Sequence, residues 1–259
     1  MSSSCSDSSA KLMPLSKALS HLLGSAVALV DEETVMLDEA LGRVLSQPVA
    51  STINVPAWDN SAMDGYAVRH RDINGLDALP VVQRIPAGTN GQPLVAGTAA
   101  RIFTGAPIPE GADTVVMQEI VTREGESIRI NGDVVQGSNI RSAGEDIHSG
   151  DKVIEIGTRL HPQHVGLAAS TGIDKLVVKR KLKVAIFTTG DELTMPGHAL
   201  EEGKIYNSNR YLFRGLLEKM GCEVIDLGNV VDQYDATCEA LTSAAAKAEL
   251  ILSSGGVSV

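Results

Sequence analysis

Apolar residues recur every three or four positions near the start of the chain, at Leu15, Ala18, Leu19, Leu22, Leu23 and Ala26. This spacing places them on one face of a helix, and such a face is normally buried. We therefore predict an amphipathic helix that packs on a later part of the chain. A strand is predicted next at Thr34 to Leu37, followed by a short helix at Asp38 to Leu45 that ends before Pro48.

The middle of the chain has a different pattern. Short apolar runs separated by Gly, Pro, Asn and Asp predict an all-β module from Val49 to about Arg159. The runs are Val81-Val82, Thr114 to Met117, Ile128 to Ile130 and Lys152 to Ile156, and a hairpin is predicted between the strand segments Thr114 to Thr122 and Ser127 to Ile130. Gly125 predicts a hairpin turn because glycine can take a positive φ angle.

The last third alternates apolar runs with helical patterns. A basic connector is predicted at Val177 to Lys183, and the elements after it are a strand at Val184 to Phe187, a helix from Asn209 to Met220, a strand at Glu223 to Leu227, a helix at Tyr234 to Ala248 and a strand at Leu250 to Leu252. This alternation of strand and helix implies a parallel sheet with right-handed crossovers.

Composition narrows the class of protein. The 259 residues exceed one typical domain, and 43% hydrophobic with only 3% aromatic residues predicts aliphatic cores. A formal charge of −10 argues against a nucleic-acid surface, which needs clustered Lys and Arg. No apolar stretch is long enough to span a membrane, and the Ser-rich start has no secretory core, so we predict a cytoplasmic protein with a disordered tail at residues 1–10.

Cysteine and histidine positions give no metal or disulfide pattern. Cys5, Cys222 and Cys238 are odd in number and widely separated, without the spacing of a zinc site, so we interpret them as reduced thiols.

Three turns follow the predicted parallel strands, at Thr188 to Glu192, Gly228 to Asp232 and Ser253 to Ser258. Ligands bind at the carboxyl ends of such strands, where backbone N–H groups face anions. Hydroxyl and glycine residues in the first and third turns suit a phosphate, while Glu192 and Asp232 offer hard oxygen ligands for Mg²⁺. The alternative is that Gly190 and Asp191 only form a tight turn and Glu192 is a solvated acid at the start of a helix.

Four segments carry a resemblance to a known family. They are Asn60 to Tyr66 (Asn-Ser-Ala-Met-Asp-Gly-Tyr), Thr104-Gly-Ala-Pro-Ile-Pro-Glu-Gly111, Thr188 to Leu193 (Thr-Thr-Gly-Asp-Glu-Leu) and Ser253-Ser-Gly-Gly-Val-Ser258. Together, and in this order, they resemble the molybdopterin molybdenumtransferase family, called MoeA in bacteria and represented by the E region of gephyrin in animals. The resemblance extends from about Leu15 to Val259, almost the whole chain.

The resemblance implies an α/β multidomain fold. An N-terminal helix and linker region would occupy residues 11–48 and 146–180, the inserted β-rich domain residues 49–145, and a three-layer α/β molybdopterin-binding domain residues 181–259. In the family that last domain continues with further strands and helices, and a small β-barrel domain follows. We therefore expect a chain that is truncated at its C-terminus.

The resemblance also implies an activity, the insertion of molybdate into adenylylated molybdopterin with release of AMP, performed by a Mg²⁺-dependent homodimer. It gives catalytic roles to Asp64, Glu192 and Asp232, with the last two also holding the metal. Asp64 would act in the cleft of the partner subunit. The residues implied to bind the cofactor are Thr104, Gly105, Thr188, Thr189, Gly190, Asp191, Ser253, Ser254, Gly255 and Gly256.

The residues themselves leave open other interpretations of the candidate site and of the function. Asp64 before Gly65 is common turn chemistry, and Thr104 can simply end a strand in a Pro-rich turn. A truncated chain could be a non-catalytic module that dimerises and binds the pterin, or a scaffold. A relative of competence-damage-type proteins would share only the α/β domain, which the match over Ser61 to Tyr66 disfavours. A further partner that the family suggests is the molybdopterin adenylyltransferase.

Overall fold

The structure is a computed structural model that describes residues 13–255. The tail predicted at residues 1–10 lies outside the described residues. The described residues form two compact units, one made of residues 33–178 and the other of residues 13–32 together with residues 179–255.

Helices and strands alternate irregularly along the described residues. The helices there are Leu15–Ser25 (α1), His70–Ile73 (α2), Pro162–Ser170 (α3), Asn209–Lys219 (α4) and Tyr234–Ala245 (α5). The strands are Glu32–Met36 (β1), Val49–Ala50 (β2), Asn60–Ser61 (β3), Gly65–Val68 (β4), Leu79–Ile85 (β5), Ala99–Ile102 (β6), Thr114–Met117 (β7), Val121–Glu124 (β8), Ser127–Ile130 (β9), Ile140–Arg141 (β10), Lys152–Ile154 (β11), Lys175–Lys179 (β12), Lys183–Thr189 (β13), Leu193–Thr194 (β14), Ile205–Tyr206 (β15), Glu223–Val230 (β16) and Leu250–Ser254 (β17).

One core of the 33–178 unit lies between segments that are distant in sequence. Strand β1 pairs with β12, and β2 pairs antiparallel with β11. Helix α3 packs against this core, and sequence analysis did not predict it, although Pro162 stands at its first turn, where proline is favoured. The buried residues of the core are Val35, Ala40, Leu45, Val49, Ile154, Leu160, Ala168, Leu176 and Val178.

Two predictions in this region are wrong. The helix expected at Asp38 to Leu45 is only a 3₁₀ turn at Leu37–Glu39, because Gly42 takes a φ of 78° and Leu45, only 1% exposed, pairs with Val178 instead. The predicted connector at Val177 to Lys183 is strand at both ends, within β12 and β13. In both places backbone pairing with distant strands overrides the local pattern.

The β-rich module is built on a six-stranded sheet in the order β7-β4-β6-β5-β9-β8. The predicted hairpin is confirmed, with Gly125 at a φ of 64° between β8 and β9. The single strand predicted from Thr114 to Thr122 is broken by a 3₁₀ turn at Gln118–Ile120, which sends β7 and β8 to opposite edges of the sheet. The buried hydrophobic side chains of this module are aliphatic, as composition predicts, and Tyr66 is the one aromatic residue among them in the part described.

The second unit contains the predicted parallel sheet, which is confirmed. Strand β13 lies in the centre and pairs in parallel with β16 on one side and β17 on the other, while α4 and α5 pack on these strands. Val184 and Ile186 of β13 form its core with Leu217 of α4. Helix α5 ends at Ala245 rather than at Ala248. The α/β multidomain fold class predicted from the sequence is therefore confirmed.

Helix α1 forms as predicted, but the packing expected of it does not. None of its residues is buried, and Leu15 and Leu22 are 83% and 70% exposed. The apolar face is therefore open to solvent in the single chain. As for the membrane, no helix between residues 13 and 255 is long and apolar enough to cross one.

Gly65 at the start of β4 has no room for a side chain. A β-carbon there would overlap the carbonyl oxygen of Val116 and lie 2.9 Å from the carbonyl carbon of the same residue. Because the Val116 carbonyl group is held in place by the pairing of β7 with β4, it cannot move aside without breaking that pairing, and we expect Gly65→Ala to lower the free energy of unfolding by about 3 kcal/mol or more. Urea unfolding followed by circular dichroism measures the change.

Gly75→Ala is the matched control, since no heavy atom lies within 4 Å of a β-carbon at that position. We expect it to change the free energy of unfolding by less than about 0.5 kcal/mol. Equal unfolding midpoints for the two variants would contradict the close approach of Gly65 to Val116.

Candidate functional site

Asp64 lies in a tight turn between β3 and β4. The Ser61 hydroxyl donates to the Met63 carbonyl oxygen at 2.6 Å, and the Asp64 carbonyl oxygen accepts from the Gln118 N–H at 3.1 Å. Gly65 follows with no space for a β-carbon. The Asn-Ser-Ala-Met-Asp-Gly-Tyr segment is therefore fixed by its own side chains and by close approach to β7, which gives Asp64 a defined position.

The loop that carries Thr104 is joined to this turn by backbone bonds. The Ser61 N–H donates to the Ala106 carbonyl oxygen at 2.9 Å, and the Gly105 N–H donates to the Ser61 carbonyl oxygen at 2.8 Å. Gly105 takes a φ of 81°, which favours glycine. Two segments that are separate in the sequence thus form one structural unit.

Asp64 and Thr104 are direct partners. The Thr104 N–H and hydroxyl both donate to Asp64 Oδ1, at 2.9 and 2.8 Å. These bonds, with a smaller contribution from the charge of Arg101, hold the pKa of the Asp64 carboxyl below its usual value. Desolvation of the carboxyl acts in the opposite direction, but the two Thr104 hydrogen bonds outweigh it. Asp64 is therefore an ionised acceptor on the surface of the β-rich module.

Two arginines beside this pair were not found by sequence analysis. The Arg101 guanidinium lies 4.6 Å from the ring centre of Phe103 and 5.1 Å from that of Tyr66, and it donates to the Gly65 carbonyl oxygen at 3.0 Å. The Arg84 guanidinium lies 4.4 Å from the same Phe103 ring. The alternation of Arg101 and Phe103 along a strand is the available signal, but the contact with Arg84 depends on the pairing of β5 with β6.

In the second unit the ends of the three parallel strands meet at one edge of the sheet, where the three turns are predicted. Residues 188–189, 228–230 and 253–254 belong to the strands themselves, so those parts of the predicted turns are wrong, and only residues 190–192, 231–232 and 255 lie beyond the strand ends. Thr188 is opposite Asn229 on β16 and opposite Ser254 on β17, so the segments after these residues leave the sheet side by side. The Thr189 hydroxyl donates to the Ser254 carbonyl oxygen at 3.4 Å. The structure therefore brings together Thr188, Thr189, Gly190, Asp191, Glu192, Asp232, Ser253, Ser254 and Gly255, while Gly256 lies outside the described residues.

Glycine permits the close contacts at this edge. Gly190 takes a φ of 145°, and a β-carbon there would lie 2.5 and 2.7 Å from the two Glu192 carboxylate oxygens. A β-carbon at Gly255, which takes a φ of 111°, would overlap the Thr189 hydroxyl. The Glu192 carboxylate is thus placed directly over the Gly190 backbone, in a position that any larger residue at 190 would obstruct.

A buried polar network behind the turns was also missed by sequence analysis. The Asn207 amide donates to the Thr188 hydroxyl oxygen at 2.7 Å, and that hydroxyl donates to Asn229 Oδ1 at 3.0 Å. Asn207 and Thr188 are each 1% exposed. Thr188, predicted to bind the cofactor, is therefore engaged within the protein and supports the strand end. The only sequence signal is an Asn-Ser-Asn run before α4.

Carboxylates at the sheet edge have the chemistry of a Mg²⁺ site with few protein ligands. The Asp232 N–H donates to Asp191 Oδ1 at 3.5 Å, so the first and second turns touch. Within residues 13–255 no three His, Cys, Asp or Glu side chains form a group that could hold a metal ion. Mg²⁺ commonly takes one or two carboxylates and completes its shell with water and substrate oxygens, and one or two of Asp191, Glu192 and Asp232 fit that use.

The Asp64 pair and the sheet-edge residues belong to different units, 33–178 and 179–259 respectively. The contacts described above for each group join residues of the same unit. The predicted assignments to catalysis, cofactor and metal remain predictions.

Comparison with protein families and known structures gives consistent matches. Residues 13–172 match the model of the MoeA N-terminal region (domain I and II), and residues 185–259 match that of a probable molybdopterin binding domain. A molybdopterin molybdenumtransferase of Haemophilus influenzae is 42% identical over 250 residues, covering 96% of this chain and 62% of the relative. One from a Nostoc species is 42% identical over 237 residues, covering 88% and 54%.

Among solved structures, a molybdopterin biosynthesis moeA protein from Pyrococcus horikoshii superposes with a TM-score of 0.86 at 38% identity, covering 95% of this chain and 67% of that one. The chain spans 62% and 54% of the length of the two curated relatives above.

From the hydrogen bonds between Thr104 and Asp64 we predict how the pKa of Asp64 changes when Thr104 is substituted. Thr104→Val removes the hydroxyl donor but keeps the backbone N–H, which is the larger cause of the lowered pKa, so we expect the pKa of Asp64 to rise part of the way to its usual value. Because the folded pKa is the lower one, ionised Asp64 stabilises the fold above the unfolded-state pKa, and this stabilisation is lost as the pH falls through the folded pKa. Carbon-detected NMR titration of the carboxyl group measures the shift.

Thr104→Ser is the control for that titration, since serine retains both donors. We expect its Asp64 pKa to match that of the parent chain. Identical pKa values in the Ser and Val variants would show that the hydroxyl has no effect.

From the buried hydrogen bonds of Asn207 we predict that its loss destabilises the second unit. Asn207→Ala leaves the Thr188 hydroxyl and the Arg210 N–H without their Asn207 partner atoms, which lie 2.7 and 3.3 Å away. We expect the free energy of unfolding to fall by about 1–3 kcal/mol. Ser208→Ala is the control, because the exposed Ser208 side chain makes no capping bond to α4. Equal urea midpoints for both variants would contradict a structural role for Asn207.

Proposed function

Because the chain belongs to the MoeA family of molybdopterin molybdenumtransferases, we propose that it inserts molybdate into adenylylated molybdopterin with release of AMP. Relatives that carry this name place the family in molybdenum cofactor biosynthesis. The observation that carries the proposal is that residues 188–192, 228–232 and 253–255, which are the ends of three parallel strands and the residues after them, meet at one edge of the sheet. An edge of this kind is where phosphorylated ligands bind.

Charge is the physical problem of the proposed reaction. Molybdate, a diphosphate link and a dithiolene are all anionic, so they repel one another when they are brought together. Backbone N–H groups at the ends of β13 and β17 are donors for phosphate oxygens. Bound Mg²⁺ would supply Lewis-acid stabilisation of the charge that develops as the phosphoanhydride breaks. Glu192 and Asp232, with Asp191 beside them, are the residues that would hold it.

Gly190 and Glu192 would position the substrate at this edge. The Glu192 carboxylate lies over the Gly190 backbone, so a ligand that bonds to the N–H groups of the turn is placed beside that carboxylate. Thr189 and Ser254, joined by a hydrogen bond, keep the first and third turns in register around it.

Asp64 would orient the ligand through its second carboxylate oxygen. Both Thr104 bonds go to Oδ1, so Oδ2 is the atom that would accept from a ligand N–H or O–H donor. Its lowered pKa keeps it ionised at neutral pH, which suits an acceptor and not a proton donor. Thr104, proposed as a ligand-binding residue, would act mainly by fixing this carboxylate, and Gly105 would allow the ligand to approach.

We propose that the active form is a homodimer in which Asp64 of one subunit serves the Glu192 and Asp232 of the other. The open apolar face of α1 supports association, because Leu15 and Leu22 are more than two-thirds exposed in the single chain. A cytoplasmic location and transfer of the substrate from the molybdopterin adenylyltransferase are part of the same proposal.

AMP release from adenylylated molybdopterin, with molybdate and Mg²⁺ present, tests the function. We expect Asp64→Asn and Glu192→Gln each to reduce the rate by about 100-fold, since each removes a charge from the proposed site. Asp133→Asn and Glu202→Gln are controls, because both acids are exposed and outside the candidate site. Full activity in Asp64→Asn and Glu192→Gln would refute the proposed roles.

A mixing experiment tests the shared site. If Asp64 and Glu192 act on the same substrate from different subunits, dissociating and reassociating the two inactive variants together creates heterodimers with one intact site, and about a quarter of the parent activity should return. No recovery on mixing, with heterodimers present by mass spectrometry, would place both residues on the same subunit. Binding of the substrate without AMP release by the parent chain would instead favour a non-catalytic pterin-binding module.

A further inference from the structure

Trp58 is an exposed aromatic residue in a chain with few aromatics. It is the only tryptophan, and 61% of it is exposed. A tryptophan ring that remains in solvent leaves a large apolar face available for a ligand. None of the proposed roles above uses it.

The backbone around Trp58 is held firmly. The Asn60 amide donates to the Trp58 carbonyl oxygen at 3.2 Å, and Asp59 Oδ1 accepts from the Ala143 N–H at 2.8 Å. The Ile108 N–H donates to the Asp59 carbonyl oxygen at 3.0 Å. These bonds hold the backbone from Trp58 to Asn60 against the segments that carry Ile108 and Ala143. The exposure of the ring is therefore not a result of a loose loop.

A cavity of about 370 Å³ lies against this ring, lined by Trp58, Gly88, Asn90, Gly105 and Pro107. Its volume is in the range of small-molecule sites. The segment that carries Gly88 and Asn90 is clamped by Gln83, whose side-chain amide donates to the Gln92 carbonyl oxygen at 2.8 Å and accepts from the Gln92 N–H at 2.9 Å. The part of the wall formed by Gly88 and Asn90 is thus preorganised as well.

The lining has the chemistry for a flat, polar-edged ligand. Trp58 and Pro107 supply apolar surface, the glycines supply space, and Asn90 offers an amide donor and acceptor. Gly105 follows Thr104, so the cavity adjoins the residue that fixes Asp64. The two guanidiniums at Phe103, two residues before Gly105, add positive charge to the same loop.

We propose that this cavity binds a planar nitrogen heterocycle by stacking on Trp58, with Asn90 bonding to its edge. The inference rests on the proposed function, in which the substrate contains two such rings, a pterin and an adenine. Either ring held here would place its attached groups beside Thr104 and Asp64.

Intrinsic fluorescence tests the inference directly, because Trp58 is the only tryptophan. The 259-residue chain is titrated with AMP, with neopterin and with ribose 5-phosphate, which has the phosphate but no heterocycle. We expect saturable quenching by at least one heterocycle and none by ribose 5-phosphate. The heterocycle that quenches identifies the ring that the cavity takes. Absence of quenching by both, or equal quenching by ribose 5-phosphate, would overturn the proposal.

Calorimetry on variants separates stacking from a general effect on the fold. We expect Trp58→Ala to weaken binding of the quenching ligand about tenfold or more, and Trp58→Phe, which keeps a ring, to weaken it by less than about threefold. Val135→Ala, at an exposed position outside the cavity, should bind as the parent does. Equal affinity of Trp58→Ala and the parent would overturn the proposal.

The fluorescence and calorimetry experiments measure ligand binding without turnover, so their results do not depend on AMP release. If no ligand quenches Trp58 fluorescence but AMP release depends on Asp64, only this inference is wrong. If a heterocycle quenches Trp58 fluorescence but no AMP is released, the proposed reaction is wrong and the binding site is supported.

Discussion

The structure of the β-rich module depends on the backbone pairing between the turn at Asn60 to Asp64 and the loop at Phe103 to Pro107. Two bonds between Ser61 and the Gly105–Ala106 peptide region join them, and each is a modest contribution of about 1 kcal/mol. Their effect on geometry is larger than their energy. They place the Thr104 donors on Asp64, and they set Gly105 beside the Trp58 segment, so one pairing positions both the carboxylate and the cavity.

The α/β unit positions the residues of its candidate site in a different way. Parallel pairing of β13 with β16 and β17 places the residues after each strand at a common edge, and no side-chain contact is needed to bring the turns together. Side chains then refine the edge. Asn207 ties Thr188 to the segment before α4, and Thr189 bonds to Ser254. Polar residues that look like ligand groups in the sequence are partly occupied in supporting the turns.

The parallel sheet, the Gly125 hairpin and the turn that carries Asp191 and Glu192 are encoded in local patterns of residues, so they could be predicted from the sequence. Features that depend on pairing with distant residues could not be predicted in this way. The helix expected before Pro48 gave way to the pairing of Leu45 with Val178, and the guanidinium of Arg84 reaches Phe103 only through the register of β5 and β6. Asn207 was missed because its role depends on a hydroxyl in another strand.

The central position of β13 has a consequence for biosynthesis. Its buried residues Val184 to Phe187 pair with strands that begin only at Glu223 and Leu250, so during translation this apolar segment leaves the ribosome well before either neighbour exists. Parallel pairings between distant segments form slowly and leave apolar strands open to wrong contacts. Nascent chains of this protein should therefore need protection by chaperones at that stage, whereas the hairpin of β8 and β9 can close as soon as it is made.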